Sequence, residues 1–279
     1  MKKEKKKIYL GSLILKILIF AAIIFTVAML GYLIVYILVK GIPHLTPELF
    51  SIKYTSDNVS MLPSIINTLI MIGVALLISV PIGVFSAIYL VEYAKKGNKL
   101  VKVVRMMAET LTGIPSIVYG LFGMLFFVTA MGLSYSLLAG ILTVAIMVLP
   151  TVLRTTEEAL MAVPDSYREG SFGLGAGKLR TVFTIVLPSA IPGILSGVIL
   201  ATGRIAGETA ALIYTAGTVA TLPSNGLFSS GRTLAVHMYV LSQEGLHTDQ
   251  AFATAVVLMV MVLLINILSS AVAKKMERK

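Results

Sequence analysis

Residues 157–193 read EEALMAVPDSYREGSFGLGAGKLRTVFTIVLPSAIPG, a polar and glycine-rich stretch between two apolar ones. Its run Gly173-Leu174-Gly175-Ala176-Gly177-Lys178 invites assignment as a phosphate-cradling loop. That motif needs a glycine five residues before the Gly-Lys pair and Ser or Thr after it, and those positions hold Phe172 and Leu179. No strand precedes the run and the G-x-G-x-x-G spacing is missed, so nucleotide binding is not expected here. A short helix fits instead. Pro164 suits a first helical turn, Asp165 and Glu169 favour its positive end, and Gly175 can end it in a left-handed conformation. Small Gly170 and Ser171 permit close approach by another surface, while Phe172 and Leu174 can fill a pocket. A second short helical piece then carries Lys178 and Arg180 towards Pro188. On these residues alone, an ordinary loop with two helical turns is an equal reading.

Outward from this loop the chain is apolar. Of its 279 residues 57% are hydrophobic and 13% charged, with mean hydropathy +0.93, against roughly half and a quarter in soluble domains. Crossing about 30 Å of hydrocarbon takes about 20 helical residues, and only helices or closed barrels satisfy their own backbone there. Six spans are predicted, at 12–39, 64–91, 105–129, 134–153, 188–214 and 251–273. The fold class is therefore an all-α integral membrane protein with six transmembrane helices. The first span follows MKKEKKK but exceeds the about 7–15 apolar residues of a cleaved signal, so it is expected to be a retained, peripheral helix. The organisation is 1–63 for the basic patch, first helix and external loop, 64–273 for one membrane domain holding the polar loop 154–188, and 274–279 for a tail.

The net charge of +10 is explained by topology. The N-terminal patch carries six Lys and Arg, the loop at 95–105 five, the loop at 154–180 four and the tail four, which is nineteen of the 23. If these segments face the cytoplasm the positive-inside rule is obeyed, with both termini inside a bacterial-type cell membrane. Anionic lipid is then the partner of the basic residues and nucleic acid is not. The chain has no cysteine. Its histidines, His44, His237 and His247, lack metal-ligand spacing and read as solvated loop residues. In the outside segment 215–250, an amphipathic piece at 233–242 is expected to lie on the membrane or meet a partner, unless it is plain loop.

Arg204 and Glu208 fall in the middle of the fifth predicted span, where a charge costs roughly 2.5–3.5 kcal/mol on insertion scales and is usually paired, inward-facing and functional. Four apart, they share a helix face. A mutual salt bridge, a packing role and a hydrated substrate path with Thr209 are the alternatives. Arginine's planar donors match an oxyanion, and Glu208 can temper that charge or accept a hydrogen bond from a protonated oxyanion such as hydrogen phosphate, disfavouring sulfate. Gly193, Gly197 and Ala201 form a small stripe, and Gly203 and Gly207 a second small pair, both suited to a subunit interface. Glu109 lies one turn after Arg105, so a local pair competes with a transport role. Thr112-Gly113-Ile114-Pro115 predicts a kink in the third span, with Ser116 and Tyr119 as further candidates for the path. No nucleophile–base or metal constellation is present, so an enzyme is not expected.

The spacing Glu169-Gly170-Ser171, three residues, Gly175, nine residues, Ile185-x-Leu187-Pro188 resembles the EAA loop of bacterial ABC importer permeases, E-A-A-x3-G-x9-I-x-L-P, with Gly170 and Ser171 replacing two alanines. The resemblance implies a type I ABC importer permease fold whose EAA coupling helix seats in a separate ATPase. It carries the coupling role to Tyr167, Arg168, Glu169, Gly170, Ser171, Phe172, Leu174 and Gly175. The stretches TGIPSIVYG (112–120), RIAGETAALIYTA (204–216) and TLAVHMY (233–239) resemble the permeases of phosphate-specific importers, the PstA type more closely than the PstC type. That pattern has a proline where Ala211 stands. Covering about 64–270, this resemblance implies a PstC-like permease partner, a PstB-like ATPase dimer that binds ATP-Mg, and a PstS-like phosphate-binding protein, with no cofactor on this chain. An importer of sulfate, molybdate or another small oxyanion is the alternative, and an ATP-independent anion transporter or channel is a further one.

Overall fold

The computed structural model describes residues 10–95 and 97–277, so the basic patch at 1–9, Lys96 and the tail's last residues 278–279 lie outside the described residues. Every regular element among the described residues is helical. Among the described residues, five helices are long and apolar enough to cross a membrane, or six if one bent pair counts as a single span. α1 (Leu10–Gly41) packs on α11 (Thr248–Glu277) and leaves most of its apolar surface outward. They meet closely at Gly41, where a Cβ would run into Phe252 O and, at 2.6 Å, Val256 Cγ2. The helix is peripheral, as expected.

The core is a three-helix wedge. α2 (Leu62–Ile88) and α8 (Leu187–Ala206) both pack on α5 (Leu137–Met161), which buries Met71, Ala75, Ile141, Val144, Val148, Ala201 and Ile205. In lipid there is little hydrophobic drive between helices, so close approach by small residues decides which faces meet. Gly83 of α2 lies against Val152, while Gly193 and Gly197 of α8 lie against Ala159 and Thr155 of α5. The Gly193-Gly197-Ala201 stripe thus forms an interface inside this chain, not the intersubunit one expected of it. Around Gly203, by contrast, a Cβ would have nothing within 4 Å.

Two spans differ from expectation. The third is not a kinked rod: α3 (Lys99–Thr112) and the helical stretch Ser116–Ala130, which begins as α4 (Ser116–Gly123), are bent by 103°. Pro115 has no N–H to give the Leu111 carbonyl and holds φ −59° and ψ 141°, which ends the helix before it. The carbonyl is satisfied instead by the Ile114 N–H at 3.2 Å and the Tyr119 hydroxyl at 2.7 Å. The fifth span stops at Ala206. Gly207 and Glu208 break it, and a single turn, α9 (Ala210–Ile213), follows, so Arg204 stands in the last turn of α8 and not at mid-helix.

Two shorter helices, α6 (Asp165–Gly173) and α7 (Lys178–Thr181), make up the polar loop. Below them a satellite core of Ala87, Ile88, Leu160, Val163, Val182 and Val186 joins the ends of α2, α5 and the π-helical turn Val182–Val186 that leads into α8. At the opposite end, α10 (Leu234–Glu244) is capped by Thr233 and stopped by left-handed Gly245. It is not a surface helix: Leu234, Val236, His237 and Leu241 are all buried. His237, expected to be a solvated loop residue, lies edge-on to Tyr54, which also stacks under the buried Arg232 guanidinium at 4.8 Å. Burial and the neighbouring Arg232 charge lower the His237 pKa to about 3.

Candidate functional site

The loop helix α6 is built as its residues dictate. Pro164 precedes it with extended backbone, Asp165 occupies its first turn, and Gly175 at φ 83° closes it, with the Gly175 N–H bonded to Phe172 O and the Ala176 N–H to Ser171 O. Tyr167, Glu169, Gly170, Phe172 and Leu174 are exposed, Leu174 at 91%, and at about 100° per residue they cover most of the circumference of α6. A Cβ at Gly170 would touch nothing within 4 Å, so this surface is open to another. Ser171 does not belong to it. It is buried, with its hydroxyl 2.8 Å from Thr181 Oγ1, and it holds α6 on α7.

Arg168 also turns inward. Its Nη2 lies 2.7 Å and its Nε 3.1 Å from Glu92 Oε1, Nη1 donates to Val163 O at 2.7 Å and to Asp165 at 3.2 Å, and Nη2 donates to Leu160 O at 2.9 Å. The neighbouring pairs are crossed relative to expectation. Arg105 bonds the buried carboxylate of Glu157, and Glu109 sits 3.7 Å from Arg154. A pair between Arg105 and Glu109 would need only one helix; the observed pairs tie α3 to α5, because both acids and both bases face the groove between them. Glu92 and Glu157 escaped the sequence reading. Their signal was present: each is an acid at the end of a long apolar helix, beside positions of the buried face.

At the other candidate region the break at Gly207 separates the two charges. Among the described residues no carboxylate lies within 4 Å of Arg204, which is half-exposed. Its position in the last turn of α8 suits a cation at a helix C-terminus. Glu208 is buried, and its Oε1 accepts the Ala211 N–H at 3.0 Å, capping α9. Thr209 and Ile213 reach a largely apolar cleft of about 750 Å³ between α1, α4, α10 and α11. Tyr119 is buried with its hydroxyl on Leu111 O, and Ser116, half-buried, opens α4. The structure thus sets Glu208 one break away from Arg204, fixes Tyr119 on the Leu111 carbonyl, and leaves Glu109 with Arg154 of α5.

Residues 79–279 match the family described as the binding-protein-dependent transport system inner membrane component. The chain belongs to that family of permeases. A probable ABC transporter permease protein, YqgI of Bacillus subtilis (strain 168), is 34% identical over 258 residues, covering 86% of this chain and 87% of that protein. The phosphate transport system permease protein PstA of Pasteurella multocida (strain Pm70) is 35% identical over 252 residues, 89% of each. Among solved structures, a bacterial alginate ABC transporter in complex with an alginate-bound periplasmic protein aligns over 96% of both chains with TM-score 0.71 at 16% identity. The MetNI methionine ABC transporter aligns over 77% of this chain and 94% of that one, with TM-score 0.60 at 20% identity.

In this ABC importer permease the type I fold accounts for the shape of both regions. The helical wedge holds the loop helices at one end, and the broken fifth span leaves Arg204 and Glu208 at a discontinuity. Broken helices at membrane depth free backbone groups and place helix ends where a solute can pass.

Proposed function

We propose that this permease subunit carries inorganic phosphate across a bacterial inner membrane, lining the path with a second, PstC-like permease. It takes its substrate from a PstS-like binding protein and its work from a separate PstB-like ATPase. The observation that carries the substrate is Arg204, a guanidinium at a helix break with no carboxylate within 4 Å among the described residues. An oxyanion supplies the missing acceptor in the bidentate geometry that guanidinium favours. Similarity to the Pasteurella multocida PstA supports phosphate over other oxyanions.

Tyr167, Glu169, Gly170, Phe172 and Leu174, exposed on α6, are the surface this reading offers to the ATPase, and with it the loop and both termini face the cytoplasm. Closure of the ATPase would push α6 and favour one of two packings of the bundle. Glu208, while capping α9, keeps a carboxylate near the path. Thr209 lines the adjoining cleft. No cofactor is assigned to this chain, and ATP-Mg belongs to the ATPase. The test is phosphate uptake by the assembled transporter in proteoliposomes. Uptake should require ATP and fall sharply in Arg204→Ala, and uptake driven by an ion gradient alone would defeat the proposal.

A further inference from the structure

The loop helix α6 is joined to the bundle covalently only through short irregular links, Ala162-Val163-Pro164 before it and Leu174-Gly175-Ala176-Gly177 after it. With Gly175 and Gly177 in the second link, a push on α6 transmitted through the chain alone would be absorbed by rotation about glycine backbone. A noncovalent joint bypasses the links. α2 does not end at Ile88 but runs on through a π-helical turn, Tyr89–Tyr93. Such a turn accommodates an extra residue and re-aims the side chains that follow. Glu92 is on that turn with its side chain 7% exposed, and it receives both Nε and Nη2 of Arg168, itself 14% exposed.

The same guanidinium closes the end of α5. Leu160 O is a last-turn carbonyl of α5 that gets no amide from four residues on, because that residue is Pro164; Val163 O belongs to the link that follows, and Arg168 donates to both. One side chain therefore joins three elements: the exposed loop helix α6, and the ends of α2 and α5, whose packing forms the core. A second contact strengthens the joint from the far side of the glycine link, since Lys178 of α7 lies 5.1 Å over the ring of Tyr93. A buried carboxylate left without its cation would be strongly unfavourable, so the joint resists opening under load.

We propose that Arg168 and Glu92 form the rigid joint through which movement of α6 reaches α2 and α5, Arg168 being a positioning residue of the bundle and not a contact to the ATPase. This rests on the coupling role proposed for α6. It adds that the joint stays closed throughout the transport cycle.

The test uses the complete transporter in proteoliposomes, reading assembly, ATP hydrolysis and phosphate uptake separately. Glu92→Gln and Arg168→Gln should each lower phosphate moved per ATP hydrolysed by about tenfold, within the range of ordinary coupling energies, with the ATPase still bound. The swapped pair Glu92→Arg with Arg168→Glu should recover part of the ratio. The chain has no cysteine, so Glu92→Cys with Arg168→Cys gives a clean cross-linking pair that does not depend on native ion-pair stability. Bridging it with a short bifunctional thiol reagent should raise uptake above that of the unbridged double variant. An unchanged ratio in both Gln variants would overturn the joint, as would loss of uptake on bridging. Loss of ATPase binding in Arg168→Gln that the swap does not recover would make Arg168 a docking contact and overturn it too, leaving the coupling reading intact. Failure of that reading shows differently, as wild-type uptake that does not need ATP.

Discussion

Glu208 accepts the amide proton of Ala211 at 3.0 Å, a contact made possible by the helix break at Gly207 that carries it away from Arg204. The acid expected to neutralise the arginine is instead part of the backbone architecture of the break. Its two functions separate on substitution. Glu208→Gln keeps an oxygen for the Ala211 N–H and should retain the wild-type unfolding temperature in detergent, while Glu208→Ala loses the cap and about 1 kcal/mol. If the carboxylate accepts from a protonated oxyanion, Glu208→Gln should lower phosphate uptake and its preference over sulfate, and unchanged selectivity would remove that role.

Gly197 and Gly203 form a matched pair of tests for the α5–α8 contact. A side chain at Gly197 meets Thr155, whereas one at Gly203 meets nothing within 4 Å. Gly197→Val should destabilise the folded protein by about 1–3 kcal/mol through overpacking, seen as a lower midpoint in thermal unfolding. Gly203→Ala should leave that midpoint unchanged.

Tyr119→Phe removes the hydroxyl that satisfies the Leu111 carbonyl across the Pro115 break. The Ile114 N–H remains on that carbonyl, so the loss should be near the net value of one hydrogen bond, about 1 kcal/mol. Hydrogen exchange should quicken at amides 112–118 and not in α2. Equal protection in both proteins would show that the break is held by proline alone.

His237 makes stability depend on pH. Its folded-state pKa is depressed to about 3 by burial and by Arg232, against about 6.5 in an unfolded chain. Below about 6.5 the unfolded state takes up a proton that the folded state refuses, so the contribution is fully present above pH 6.5 and is lost as pH falls towards about 3. Replacing His237 by Phe should flatten the acid limb of the unfolding midpoint plotted against pH. A curve of unchanged slope would show that His237 does not titrate on unfolding.

Most of this protein's architecture followed from local physics. Runs of apolar residues long enough to cross hydrocarbon must be helical because no water is there to receive their backbone groups. A proline, an acidic first turn and a glycine at φ 83° bound α6 wherever it is placed. Hence most of the spans, the peripheral first helix and the loop helix were legible residue by residue, whereas the 103° bend of the third span and the early end of the fifth were not. What tertiary structure alone decided was partnership. Arg105 chose Glu157 over Glu109, Arg168 chose Glu92 over the solvent, Ser171 chose Thr181, and the small stripe of α8 chose α5. A hydrogen bond or a close approach between helices depends on which faces meet at what depth and angle. Periodicity names the face a residue occupies, and only the packed bundle determines what lies opposite it.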